Sequence, residues 1–135
     1  DLRIYVEDPK SLPEQRRFNL AFAKQEVAFS GLMAGTEASL AVTDRGSLVV
    51  KSQNIAIGRN KWETAITIVK KGGDYLVAGV TRSSYDGLDP RAGGSCDINL
   101  LTGRGKRNGT PVSLAPAPVR LADWSDEKMP KPCAF

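Results

Sequence analysis

The stretch "KWETAITIVKKGGDYLVAGVTRS" constrains the fold more than any other part of the sequence. Two runs rich in β-branched and aromatic residues, 61–71 and 74–83, are separated only by Gly72 and Gly73. Two glycines between apolar runs read as a hairpin turn, because the tight turn that suits strand twist needs positive φ at both central positions. In the first run Trp62, Thr64, Ile66 and Ile68 share one face, and Glu63, Ala65, Thr67 and Val69 share the other. Neither face is fully polar, so this strand is expected to be central and covered on both sides.

The flanking sequence continues in the same style. Runs 38–43 and 47–52 surround "DRG", with Gly46 placed for a left-handed hairpin position. "CDINLLTG" (96–103) reads as another strand and "RGKRNG" (104–109) as a basic turn. The three prolines of "TPVSLAPAPVRL" favour extended or edge structure and exclude a central strand. The expected fold is mostly β: an antiparallel meander of five or more strands, a curved sheet tending toward a barrel or sandwich, with little helix. A length of 135 residues fits one domain. Within it, residues 1–37 form an N-terminal strand and irregular segment, 38–103 the β core, and 104–135 the basic turn and proline-rich tail.

The N-terminal third supports two readings. "SLPE" matches a capping box, with Ser11 at the cap and Glu14 three residues on, which would start a helix. Yet Phe18, Leu20 and Phe22 alternate with Asn19 and Ala21, as a strand would. Consistency with the rest of the chain favours a strand over residues 17–29. "RIYVED" alternates like a strand as well. The tail "ADWSDEKMPKPC" fits one short helical turn capped by Ser125 and stopped by Pro130.

The most restrictive fact about chemistry is an absence: the chain has no histidine. Ser-His-Asp and Cys-His catalysis within this chain are thereby excluded, as are zinc sites of the Cys/His type. The two cysteines, Cys96 and Cys133, admit two readings. Paired, they close a loop of about 38 residues, worth about 3–4 kcal/mol by chain entropy, and pin the tail. Unpaired, they are two buried thiols. The position of Cys133 near the end of the sequence favours the disulfide, and with it an oxidising compartment. No run of 18 apolar residues is present, so no transmembrane helix is expected. The opening "DLRIYV" lacks methionine, which suits a processed mature start or a trimmed boundary.

The candidate site is the stretch "SSYDGLDPRAGGSCDINLLTG", read as a connection of about a dozen residues between two strands, longer than a hairpin needs. Its aspartates suggest calcium, but an EF-hand loop counted from Asp86 puts Leu88 and Pro90 at the third and fifth positions, so the pattern fails. Asp86-Gly87 and Asp89-Pro90 are turn initiators instead. Glu63 and the loop aspartates, with Asp97, are the only candidates for a pair of catalytic carboxylates. Ser52 and Lys51 are adjacent on a strand and point apart, so they form no Ser-Lys pair. "GRGKRNGT" fits neither a P-loop nor a dinucleotide motif, and no cofactor is expected.

The basic residues offer more. Arg104, Lys106 and Arg107 sit in one glycine-flanked segment, and with Arg59, Arg82 and Arg91 they would form an anion-facing end of the sheet. A solvated hairpin tip whose charges block edge pairing is the plainer account. Nucleic acid is disfavoured, because only Tyr85 lies near for stacking. Trp62 and Trp124 are expected in the core or in a lid over it.

The block from Gly46 to Gly109 also resembles a group of exported proteobacterial β-rich domains without an assigned activity. The resemblance is carried by Gly46–Leu48, Ile57–Arg59 with Trp62, Ala78–Gly79 and Asn99–Gly103. It implies export and β-architecture and transfers no catalytic residue. The expected function is that of a periplasmic or extracellular, non-enzymatic binding domain, of the kind an inhibitor, an immunity protein or an envelope-glycan binder would need. Its partner would be a protein or an anionic glycan or lipid of the cell envelope. Its contact surface would comprise Arg82, Tyr85, Asp86, Asp89, Arg91, Arg104, Lys106 and Arg107. The alternative is a carboxylate-based hydrolase using Glu63 or the loop aspartates.

Overall fold

The computed structural model describes residues 1–135. The chain is mostly β, with two antiparallel sheets and only three single-turn 3-10 segments in the tail. The main sheet is a meander. It runs through β3 (Ala38–Val42), β4 (Leu48–Asn54), β5 (Asn60–Lys71), β6 (Asp74–Asp86), β7 (Gly93–Asn99), β8 (Arg104–Arg107) and β9 (Thr110–Ser113), each paired with the next. A short β10 (Val119–Arg120) returns to pair with β6 at Leu76 and Val77, beyond the reach of β7. The sheet stays open and does not close into a barrel.

The glycine turns form as the sequence expects. Gly72 (φ 60°) and Gly73 (φ 80°) join β5 to β6, and Gly46 (φ 79°) ends the β3–β4 turn. The C-terminal half of the sheet departs from the sequence reading at three points. The β core does not stop at residue 103: β8 and β9 extend the sheet to Ser113. The basic residues 104–107 are a strand rather than a turn, and the turn is Asn108-Gly109, both with positive φ. β6 runs on to Asp86, so the connection to β7 is Gly87–Ala92, about half the expected length.

In the N-terminal third, β1 (Leu2–Glu7) and β2 (Phe18–Lys24) form a separate hairpin. The capping box starts no helix: the Ser11 hydroxyl donates to the Asp8 carbonyl at 2.7 Å, closing a turn. The strand reading holds over 18–24 and ends there rather than at Phe29. In the tail the 3-10 turn Asp126–Lys128 follows Ser125, whose side chain makes no cap bond.

One face of the main sheet carries the core. Val50, Ile66, Ile68, Val77, Val80, Cys96 and Ile98 are buried together with Leu2 and Val27 from the N-terminal segment and Leu121, Trp124 and Cys133 from the tail. Both ends of the chain thus cover the same face. Lys24 donates to the Ala122 carbonyl at 2.9 Å, tying one cover to the other. The opposite face stays open: Lys51, Glu63, Thr81, Asp97 and Lys106 are exposed along it. β5 is therefore central but covered on one side only. Its second face is built from Glu63, Ala65, Thr67 and Val69, small or polar enough to sit half-exposed.

Candidate functional site

Strand register determines which side chains meet. Across β4 to β8, the aligned residues Val50, Ile66, Val80, Ile98 and Gly105 form an apolar row on the covered face. Two residues along, the same face presents Ser52, Thr64, Arg82, Cys96 and Arg107. The next row is Asn54, Trp62, Ser84 and Gly94. The hydrophobic core therefore gives way abruptly to a polar strip beneath the two chain ends.

Two cavities of about 720 and 730 Å³ open over this strip, and both are lined by Trp62 and Arg82. They are neighbouring lobes that share Trp62 and Arg82 in their linings. The first lobe is walled by Glu26, Ala28 and Phe29 on one side and by Trp124 to Glu127 on the other. The Phe29 ring meets the Trp62 ring edge-on at 5.7 Å. The second lobe is bounded by Arg59, Lys61, Tyr85, Asp86 and Phe135. Its formal charge is net positive, with Arg59 and Arg82 against Asp86, while Lys61 borders it from the phase of Glu63. In the first lobe Glu26, Asp126 and Glu127 outnumber Arg82.

Arg82 is the unusual residue. Its Nε is buried and has no hydrogen-bond partner. No carboxylate of the chain pairs with it. Its guanidinium carbon lies 5.8 Å from the centroid of the Phe135 ring, and that of Arg107 lies 5.6 Å from the same ring. Phe135 is held there by the Cys96–Cys133 disulfide, whose Cα atoms are 5.3 Å apart. Gly94 lies under the ring: a Cβ at that position would stand 3.2 Å from Phe135 Cδ1. The disulfide reading of the sequence is thus the one the structure adopts.

The tip of the second lobe is fixed by an ion pair. Arg59 Nε donates to Asp86 Oδ1 at 2.6 Å, and the same oxygen accepts the Leu88 amide at 2.9 Å. Donation from Arg59 and from that amide holds the Asp86 carboxyl below the usual carboxylate range and raises the Arg59 guanidinium. Asp89 accepts the Arg91 amide at 3.1 Å, and the two side chains pair at 3.8 Å. The loop aspartates thus work as turn-formers.

The predicted contact residues divide accordingly. Arg82, Tyr85 and Asp86 line the groove and Arg107 clamps its Phe135 wall. Asp89 and Arg91 are paired with each other in the exposed loop. Arg104 and Lys106 alternate with Gly105 and Arg107, so they lie on the open face, with Lys106 opposite Asp97. The basic segment is therefore two surfaces, not one. Strand alternation also puts Glu63 on the open face, level with Ser83, whereas Asp86 shares the covered face with Trp62. Asp97 stands on the open face beside Thr81, which donates to it at 3.4 Å. Glu63 and Asp86 thus sit on opposite faces of the sheet.

Sequence reasoning missed the walls: Glu26, Phe29, Asp126, Glu127 and Phe135. One signal was present for the floor. Val80, Arg82 and Ser84 share a phase on β6, so an arginine occupies an inward position directly after a core valine. Comparison with known protein families, curated proteins and solved structures finds no match for this chain.

Proposed function

We propose that the chain is a non-enzymatic binding domain of an exported protein, and that it holds an anionic partner in the groove over Arg82. One observation carries this reading: Arg82 lines both cavities, and no carboxylate of the chain pairs with its guanidinium. A ligand oxyanion in the groove would give the guanidinium, through its terminal nitrogens, the charge-assisted partner that the chain itself does not provide. Trp62 beside it offers a broad apolar surface, as binding grooves commonly do. Export is supported by the disulfide, which is stable in an oxidising compartment. The surface proposed is narrower than the one the sequence suggested, since Arg104 and Lys106 lie on the other side of the sheet.

The test is affinity capture from cell-envelope material by the immobilised chain. Arg82→Gln should abolish capture, and the double change Arg104→Ala with Lys106→Ala should leave it intact. The reverse pattern would place the contact on the open face and overturn the reading.

A further inference from the structure

The groove carries enough chemistry to narrow its ligand, and this inference rests on the binding reading above. We propose that it takes an acidic sugar within a glycan chain, with isolated carboxylates of the uronic-acid type rather than dense sulfate or phosphate.

The floor excludes one mode of recognition, strand addition. β4, β5 and β6 are interior strands, and Ser52, Thr64 and Arg82 each pair with a neighbouring strand on both sides. No strand edge is offered, so an extended peptide finds no backbone to pair with. A ligand here must be recognised by side chains. Those available are the hydroxyls of Ser52 and Thr64, the indole of Trp62 and the guanidinium of Arg82. Hydroxyls suit a polyol, a flat indole suits the apolar face of a pyranose ring, and a guanidinium suits one carboxylate in a two-bond fork.

The lobes refine this. Both are lined by Arg82 and Trp62, so a glycan chain laid over these two residues would place neighbouring units in the two lobes. In the first lobe Glu26, Asp126 and Glu127 accept hydrogen bonds from sugar hydroxyls but repel further negative charge. A polymer with an anion on every unit would meet them unfavourably. A chain that alternates neutral and carboxylated units places its acid at Arg82 and a neutral unit between the carboxylates.

The probe is a tetrasaccharide alternating glucuronate with N-acetylglucosamine, titrated into the oxidised full chain. Binding is read by calorimetry and by the NMR signal of the Trp62 indole. We expect saturable binding that shifts this signal and falls at least about tenfold for the carboxyl-reduced tetrasaccharide and for Arg82→Gln. The reduced ligand tests the carboxylate on unaltered protein, so a folding defect in the variant does not spoil the experiment. Absence of binding, equal affinity for the reduced ligand, or tighter binding of a heavily sulfated heparin hexasaccharide would overturn the proposal. So would preference for anionic phospholipid vesicles or an acidic peptide. If envelope capture depends on Arg82 while the tetrasaccharide does not bind, the glycan class falls and the groove stands. If capture ignores Arg82, the groove itself falls.

Discussion

Arg82 and Asp86 stand four residues apart on one strand and show two fates of a charge. Asp86 is satisfied by Arg59 and by the Leu88 amide, whereas Arg82 Nε has no acceptor. An unpaired buried donor costs about 1–3 kcal/mol, and stacking on Phe135 offsets about 0.5–1 kcal/mol of that. Arg82→Met keeps most of the packing volume and removes the orphan. It should leave stability unchanged or raise it by about 1 kcal/mol, seen as a rise of a few degrees in Tm. A fall of several degrees would show that Arg82 supports the fold instead of a ligand. For Asp86 the sign is opposite. Its carboxyl is depressed in the folded chain, so its contribution is present above the unfolded pKa and is lost as pH falls through the folded value. Protection of the Gly87–Ala92 amides, taken relative to the intrinsic exchange rate at each pH, should therefore fall below about pH 4 and, in Asp86→Asn, already be low at neutral pH. Unaltered exchange at Leu88 in that variant would contradict this. The Arg82 signal was readable in the sequence as a charge in an inward phase. Its lack of a counter-ion was not, because Glu26 and Glu127 are remote in the chain and only folding decides whom they meet.

At the scale of elements, hairpins were legible and covers were not. Gly72-Gly73 and Gly46 mark turns by a local backbone requirement, so sequence alone places them. The polar end of β6 looked like loop because Ser83, Ser84 and Asp86 lack β-branching, yet pairing with β5 and β7 keeps it extended. The basic cluster was grouped by proximity in sequence, whereas a period of two sends Arg107 to one face and Lys106 to the other. The tail is held by one covalent bond, by β10 and by burial of Leu121 and Trp124. Replacing both cysteines by serine should destabilise the chain by up to about 4 kcal/mol in urea unfolding. It should also shift Trp emission to the red as Trp124 gains solvent. Unchanged emission would mean that packing alone holds the tail.

For the molecule as a whole, an open sheet leaves two edges, and the chain treats them differently. Edge strand β9 itself carries Pro111, and Pro116 and Pro118 follow it, which blunts pairing. β3, at the other edge, reads Ala-Ser-Leu-Ala-Val, without charge or proline, with Leu40 62% and Val42 71% exposed. Such an edge invites association, so Leu40→Lys should suppress concentration-dependent light scattering with little effect on Tm. Scattering that persists would point to another contact. The meander has a kinetic consequence too. Its ladders join neighbours in sequence, so residues 38–113 can pair by closing short loops, whereas Leu2 and Trp124 reach the shared core only across long ones. The groove floor belongs to the first class and its walls to the second. Substitutions in the floor should therefore slow refolding, and substitutions in the walls should mainly hasten unfolding. The last region to assemble would then be the one that meets the ligand.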